Sequence, residues 1–324
     1  MNEKNTLYIV VPCYKEEAVL PETSRRLREK MKQLISEGKI NRNSRVMFVN
    51  DGSQDETWPI IRRLYEEEPD LFSGVNLSRN RGHQNALLAG LLTAVNFADM
   101  IVSMDADLQD DINAVDAMVD AYHEGYEIVY GVRSKRETDT FFKRFTAEGF
   151  YKVMRALGVD IVFNHADYRL MSRRAVEGLA EFTEVNLFLR GIVPQIGYRW
   201  TTVTYERAER FAGESKYPLK KMLAFAADGI TSFSVKPIRL VFSCGVFVFL
   251  ISLVMFIYAL IVKAMGHSTN GWASLMSSIW MLGGIQLLGL GIVGEYIGKI
   301  YNETKRRPRY IIESVLNKSR TEDI

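Results

Sequence analysis

The chain has 324 residues, with 41 Lys and Arg against 39 Asp and Glu and a formal net charge of +2 at pH 7. That length allows one large domain with an appendage or two modest domains, and so even a charge balance excludes a protein that coats nucleic acid. The average conceals a division, because residues 1–236 read as a charged, soluble body and 238–297 hold two long apolar runs. Cys13 and Cys244 fall in these different regions, which argues against a structural disulfide and for a reducing compartment. The opening MNEKNTLYIVV carries no basic stretch followed by a signal-length apolar one, which places the start of the chain in the cytoplasm.

In chain order, Leu7–Val11 is a buried-strand candidate that stops at Pro12. A helix over Pro21–Ser36 follows, with Leu27, Met31, Leu34 and Ile35 on one face. Val46–Val49 is a second strand, residues 57–67 a second helix, and Phe72–Leu77 a third strand. Residues 83–97 form a strong helix, and Met100–Met104 a fourth strand that ends at Asp105. Strands alternating with helices predict an α/β fold with a mainly parallel, Rossmann-like sheet. Ligands of such sheets sit beyond the carboxyl ends of the strands. Three polar segments lie there: Pro12–Glu17, Asn50–Asp55 and Asp105–Asp110.

Residues 218–237 mix apolar and basic side chains at helical spacing and read as interfacial helices leading to a bilayer. Spans 238–262 and 273–297 each exceed the roughly 20 residues that cross a hydrocarbon core. Lys236 and Arg239 flank the first, Lys299, Lys305, Arg306, Arg307 and Arg309 follow the second, and the connecting loop holds only Lys263. Positive charge therefore sets both ends inside, giving a two-helix transmembrane hairpin. The expected organisation is a cytoplasmic catalytic domain over 1–217, the interfacial segment, the two spans, and a basic cytoplasmic tail over 298–324. Pro308–Glu313 reads either as a short strand or as part of a disordered tail.

Asp105-Ala106-Asp107-Leu108-Gln109-Asp110 carries the strongest chemical signal. Two carboxylates one residue apart at a strand end offer hard oxygen ligands to Mg²⁺ or Mn²⁺. A metal there neutralises the charge that develops on a departing diphosphate. Asp is also an ordinary turn residue, so the triplet gains meaning only from its company. Asn50-Asp51-Gly52-Ser53-Gln54-Asp55 closes the second strand and serves equally well as turn plus helix cap. Arg79, Arg81 and His83 follow the third strand, where the arginines suit phosphate and the histidine reads as an ordinary helix-start residue.

Together, in this order, these segments resemble the family 2 glycosyltransferases of GT-A fold, and more narrowly the polyprenyl-phosphate branch that includes dolichol-phosphate mannose synthase. The resemblance extends over the whole chain through Gly131-Val132-Arg133, Asp167-Tyr168-Arg169-Leu170, Phe188-Leu189-Arg190-Gly191 and Arg210-x-x-Gly213-Glu214-Ser215-Lys216-Tyr217, and it is nearest to bacterial enzymes acting on undecaprenyl phosphate. It implies inverting, metal-dependent transfer of one hexose, with a UDP-sugar as donor, onto the lipid phosphate. Which hexose is left open. Pro12, Tyr14, Glu16 and Asp51 would line the nucleotide pocket, and Asp105 would face the ribose or sugar. Asp107 and Gln109 would approach the metal and diphosphate. Arg133, with Lys143 or Arg144, would anchor the acceptor phosphate, and Arg210, Ser215 and Lys216 would close over the donor. Asp105, Asp107, Arg133 and Arg210 are thus the expected catalytic set. Asp167 either orients Arg169 or the acceptor, or forms a structural pair with Arg169.

The resemblance further implies the bacterial inner membrane as location and allows a homo-oligomer, dimer or tetramer. A phosphate nucleophile with a second pKa of about 6 needs no strong general base, so positioning and charge management suffice. Three positions depart from the family pattern: Asn50 where a second Asp is frequent, Asp111-Ile112 in place of Pro-Pro, and Ala166 in place of Gly. Two alternatives compete. A processive polysaccharide synthase would carry Gln-x-x-Arg-Trp and more spans, whereas here Arg199-Trp200 follow Gln195 one residue too late. A catalytically silent sugar-nucleotide sensor fits poorly with an intact acidic and basic set.

Overall fold

The structure is a computed structural model that describes residues 5–133, 165–185, 187–206, 236–265 and 271–318. Lys143, Arg144, Arg210, Ser215, Lys216 and nearly all of the interfacial segment lie outside the described residues.

The chain divides into two compact units, the first comprising residues 1–151, 161–216 and 307–324. It holds eight strands, β1 (Leu7–Cys13), β2 (Arg45–Asn50), β3 (Phe72–Leu77), β4 (Met100–Ser103), β5 (Ile128–Arg133), β6 (His165–Ser172), β7 (Trp200–Tyr205) and β8 (Ile312–Leu316). They form one sheet in the order β7-β5-β6-β4-β1-β2-β3-β8. The sheet is mainly parallel, as expected, with β6 and β8 reversed. β1, β2, β3 and β4 run parallel, as do β5 and β7, but β6 runs antiparallel to β4 and β5, and β8 antiparallel to β3.

β1 and β2 are buried along their whole lengths, as strands covered on both faces must be. β1 does not stop at Pro12 but runs on to Cys13, with Pro12 opposite Val49. The imide is tolerated because the β4 ladder has already ended at Val10–Ser103. Helices α1 (Leu20–Ser36), α2 (Thr57–Glu67), α3 (His83–Ala94) and α4 (Ala114–His123) match the parallel-sheet rhythm. α3 ends three residues short of the expected 97. It lies so close to the sheet that a Cβ on Gly90 would meet Val10 at 2.4 Å and Val49 at 2.6 Å. That close approach sets the N-terminus of α3, and His83 with it, at the carboxyl edge of the parallel strands. α5 (Arg173–Ala180) follows β6, capped by the Ser172 hydroxyl, which accepts from the Ala175 N–H at 3.0 Å. A short α6 (Leu189–Ile192) and a 3₁₀ turn then lead to β7.

The second unit contains α7 (Lys236–Ala264) and α8 (Trp272–Lys305). They pack side by side, since a Cβ on Gly289 would stand 3.1 Å from the Val241 side chain. α8 passes eight residues beyond the expected end of the second span, so the stretch up to Lys305 is helix and not tail. Its segment Met281–Lys305 is long and apolar enough to cross a membrane, and none of that apolar stretch is buried within the structure. Beyond α8, residues 312–316 form the edge strand β8. Cys13 is buried and Cys244 exposed, both as free thiols.

Candidate active site

The expected polar segments meet where β1, β2, β3 and β4 end. The Asp51 N–H donates to the Cys13 carbonyl at 2.9 Å, the Lys15 N–H to the Ser53 hydroxyl at 3.1 Å, and the Glu16 N–H to the Thr57 hydroxyl at 3.0 Å. These bonds weld the β1 loop to the β2 loop. Lys15 takes the left-handed conformation (φ 57°), a backbone state that costs an ordinary residue about 1–2 kcal/mol. Tyr14 beside it is 44% exposed, so its ring faces outward over the strand ends. Gly52 (φ +63°) lies flat on the loop after β3, with any Cβ placed 2.4 Å from the Arg79 carbonyl carbon. Only glycine satisfies both constraints.

Asp51 is 2% exposed, and its two oxygens accept the Arg81 N–H at 2.7 Å and the Gly82 N–H at 2.9 Å. Burial pushes its carboxyl pKa up, and these two backbone bonds pull it back only in part. The geometry makes Asp51 the clamp between the β2 loop and the start of α3. Pro12 is likewise buried in β1, leaving Tyr14 and Glu16 as the more open members of the expected nucleotide set.

The Asp105–Asp110 turn is held from both sides. The Thr23 hydroxyl, buried on α1, donates to the Ala106 carbonyl at 2.8 Å, while the Gln109 N–H donates to Asp107 Oδ1 at 3.2 Å. Leu108 is left-handed (φ 56°), which reverses the chain within the turn. Asp105 keeps 39% of its side chain open, whereas Gln109 and Asp110 are buried. Partial enclosure at the end of the sheet pushes the Asp105 carboxyl above the ordinary carboxylate range, against the pull of His83 and with the push of Asp167, Asp110 and Asp107. Among the described residues, no group of three or more His, Cys, Asp or Glu side chains is arranged to hold a metal alone. Two carboxylates and a turn amide nevertheless fit Mg²⁺ or Mn²⁺, which take one or two protein carboxylates and fill the remaining positions with phosphate and water oxygens.

His83, read in the sequence as an ordinary helix start, stands between two acids. Its Nε2 lies 3.5 Å from Asp105 Oδ1 and 3.8 Å from Asp167 Oδ2. Asp167 is in turn gripped by two arginines, Arg169 Nη2 at 2.8 Å and Arg190 Nη2 at 3.1 Å. Burial works against its charge, and Arg190 and Arg169 overcome that, holding its carboxyl well below the usual carboxylate range. Arg169 is completely buried, and its Nε and Nη1 find no hydrogen-bond partner among the described residues. The Gln84 side chain accepts the Leu189 N–H at 2.8 Å, so α3 also fixes the loop that carries Arg190.

Arg133 reaches the far end of the metal turn. Its Nη2 is 3.8 Å from Asp110 Oδ1, and its Nε donates to the Tyr205 hydroxyl at 3.4 Å. Tyr205 donates to the same Asp110 oxygen at 2.5 Å, and burial with the nearby Asp110 charge keeps its phenol protonated far above neutral pH. Tyr205 carried no sequence signal, since nothing in a Thr-rich strand announces that β7 will lie beside β5. Of the expected site residues, the structure gathers Tyr14, Glu16, Asp105, Asp107, Gln109 and Arg133 around the strand ends and leaves Asp51 beneath them.

Two family models match. Glycosyl transferase family 2 covers residues 8–179, and GtrB C-terminal hairpin covers residues 236–300. The uncharacterized glycosyltransferase YkoT of Bacillus subtilis (strain 168) is 55% identical over 307 residues, covering 95% of this chain and 91% of its own. The bactoprenol glucosyl transferase of Shigella phage SfV is 40% identical over 308 residues, covering 94% of this chain and 97% of its own. Among solved structures, the mannosyltransferase PcManGT of Pyrobaculum calidifontis is 18% identical with a TM-score of 0.43, covering 91% of this chain and 88% of its own. The chain belongs to glycosyl transferase family 2 and is a glycosyltransferase.

Proposed function

We propose that this enzyme transfers one hexose from a UDP-sugar to undecaprenyl phosphate or another polyprenyl phosphate, with inversion at the anomeric carbon. The acceptor reading draws on the hairpin model and on relatives named bactoprenol glucosyl transferase. The observation in the site that carries it is Arg133, an arginine held against the Asp110 end of the acidic turn. A cation bordering a donor site is what a phosphate nucleophile requires.

The residues divide the work. Tyr14 and Glu16 face the nucleotide, with Asp51 and Gly52 shaping the loop beneath it. Asp107 and Gln109 hold a divalent metal, which when bound supplies charge neutralisation to the departing diphosphate. Asp105 faces the sugar, oriented by His83. Arg133 anchors the acceptor phosphate, joined in this reading by Lys143 or Arg144, while Arg210, Ser215 and Lys216 close over the donor. A dianionic phosphate oxygen forms the new bond to the anomeric carbon as the bond to the diphosphate breaks, and no proton has to be removed first. Holding the two reactants in line accounts for the greater part of the rate.

The same reading places α7 and α8 as a two-span hairpin in the bacterial inner membrane, with the catalytic unit and both ends in the cytoplasm. Outward-facing Phe242, Phe247, Leu250 and Ile257 on α7, and Leu287, Leu288 and Leu290 on α8, support it. The test is a screen of nucleotide sugars with the purified full chain, Mn²⁺ or Mg²⁺, and a short polyprenyl phosphate. Transfer should require the metal and the lipid phosphate together. Full metal-dependent activity in Asp107→Ala would overturn the site, and transfer to glycan but not to lipid phosphate would overturn the acceptor.

A further inference from the structure

Four hydrogen bonds run in one direction from the nucleotide loops to the last strand of the chain. The Lys15 N–H donates to the Ser53 hydroxyl at 3.1 Å, and the Ser53 N–H donates to Asn50 Oδ1 at 3.2 Å. Asn50 Nδ2 donates to Asn76 Oδ1 at 2.7 Å, and Asn76 Nδ2 donates to Glu313 Oε2 at 2.7 Å. The two amides are almost wholly enclosed, with Asn50 at 2% and Asn76 at 9% exposure. Every donor in the series points toward Glu313, and a carboxylate can only accept. Glu313 therefore fixes which way the Asn76 amide faces, Asn76 fixes Asn50, and Asn50 fixes the turn that carries Asp51 and Gly52. Bonds aligned head to tail in a buried setting polarise and strengthen one another.

The backbone is bent to make the last link. In the β3–β8 pairing, Asn76 stands opposite Ser314 and Leu77 opposite Ile312, so Glu313 is the extra residue of a β-bulge. A bulge re-aims a side chain that regular pairing would send elsewhere. β8 is pinned on either side of it, by the Ser78 N–H donating to the Ile311 carbonyl at 3.0 Å and by Arg45 donating to the Asn317 side chain. The link cannot be made if Asn50 is replaced by an acid. With carboxylates at both ends, Asn76 has one amide nitrogen for two acceptors, and two oxygens must abut at one junction.

We propose that Glu313 is a positioning residue of the donor site, acting through Asn76 and Asn50 to hold the loops around Lys15 and Ser53. The effect on catalysis rests on the nucleotide reading of those loops, and the ordering of the loops does not. Full-length enzyme in detergent would be compared as wild type, Glu313→Ala, Glu313→Gln, Asn50→Asp and the pair Asn50→Asp with Glu313→Gln. The readouts are amide hydrogen exchange at residues 13–17 and 50–55 and the KM of the UDP-sugar against kcat. Glu313→Gln still presents a carbonyl oxygen to Asn76 and should match wild type, whereas Glu313→Ala should speed exchange in both loops. Asn50→Asp should do the same and raise donor KM about tenfold, with kcat and acceptor KM little changed. Adding Glu313→Gln to Asn50→Asp lets the two side-chain amide links reverse, while the Lys15 and Ser53 N–H groups go on donating as before. The introduced amide at position 313 then donates to Asn76, and Asn76 donates to the introduced carboxylate at position 50. Exchange and donor KM should return to within about threefold of wild type. Exchange in the double variant as fast as in Asn50→Asp would overturn the proposal. Restored exchange without restored donor KM would leave the ordering of the loops intact and sink their assignment to the nucleotide.

Discussion

Removing the Asp167 carboxylate tests the electrostatics at the centre of the site. Arg169 is completely enclosed and its one side-chain hydrogen bond among the described residues goes to Asp167, with Nε and Nη1 already without partners. Asp167→Ala therefore leaves an uncompensated guanidinium in the interior, and breaking a buried pair in this way costs about 3–5 kcal/mol. For a unit of this size, each kcal/mol is about 2–4 °C in Tm, so the variant should melt about 6–20 °C below wild type. Taking the stranded charge away as well, in Asp167→Ala with Arg169→Met, should recover at least about half of that loss, because an apolar side chain of similar length suits the same enclosure. The assay is urea unfolding of the purified enzyme in detergent, followed by tyrosine and tryptophan fluorescence. A double variant no more stable than Asp167→Ala alone would refute the reasoning, since the loss would then come from Arg190 or from packing rather than from an orphaned charge.

Three further outcomes follow from the same geometry. Gly52→Ala should lose at least about 2 kcal/mol of stability, because it adds a strained left-handed residue to a 2.4 Å contact, and unfolding midpoints will show it. Thr23→Val should cost about 1–3 kcal/mol by stranding the buried Ala106 carbonyl, while Thr23→Ser should stay close to wild type in melting and metal-dependent activity. The Asp167 carboxyl is held low in the fold against about 3.9 when unfolded, so its contribution is complete above pH 4 and disappears as pH falls through the folded value. The stability gap between wild type and Asp167→Asn should accordingly narrow as pH falls below about 4, as urea titrations at each pH will reveal.

The sequence made the parallel half of the sheet legible because β1, β2 and β3 follow one another through single helices, and β4, which pairs with β1, is marked like them by an apolar run that ends at a polar turn. β6, β7 and β8 lacked that support. β6 runs antiparallel between β4 and β5, and β8 pairs with a strand more than 200 residues earlier, so nothing local encodes their partners. The same limit divides the site. Asp105, Asp107 and Gln109 were readable since a turn after a strand carries its chemistry within a few residues. His83 and Tyr205 were not, because their meaning lies in acids 22 and 95 residues away, Asp105 and Asp110. Asp51 shows the converse case, in which an acid at a strand end looks the same in sequence whether it faces a ligand or clamps the neighbouring loop.

On the proposed function, the distribution of charge around His83 lets one sheet edge serve two anionic substrates. Its two carboxylate neighbours have opposite surroundings. Asp167 is paired with both Arg169 and Arg190, whereas among the described residues Asp105 has His83 as its ion-pair partner and is faced by Asp167, Asp110 and Asp107, which add to its partial enclosure in pushing its carboxyl up. On the proposed reading, a divalent cation shared with a diphosphate would relieve this crowding of acids around Asp105. At the other end of the same turn, Asp110 is already answered by Arg133 and by the Tyr205 hydroxyl. On the same proposed reading, an acceptor phosphate arriving there would meet a guanidinium that needs no metal to hold it. A donor whose charge must leave and an acceptor whose charge must stay make different demands, which the proposed roles assign to opposite ends of the six residues from Asp105 to Asp110.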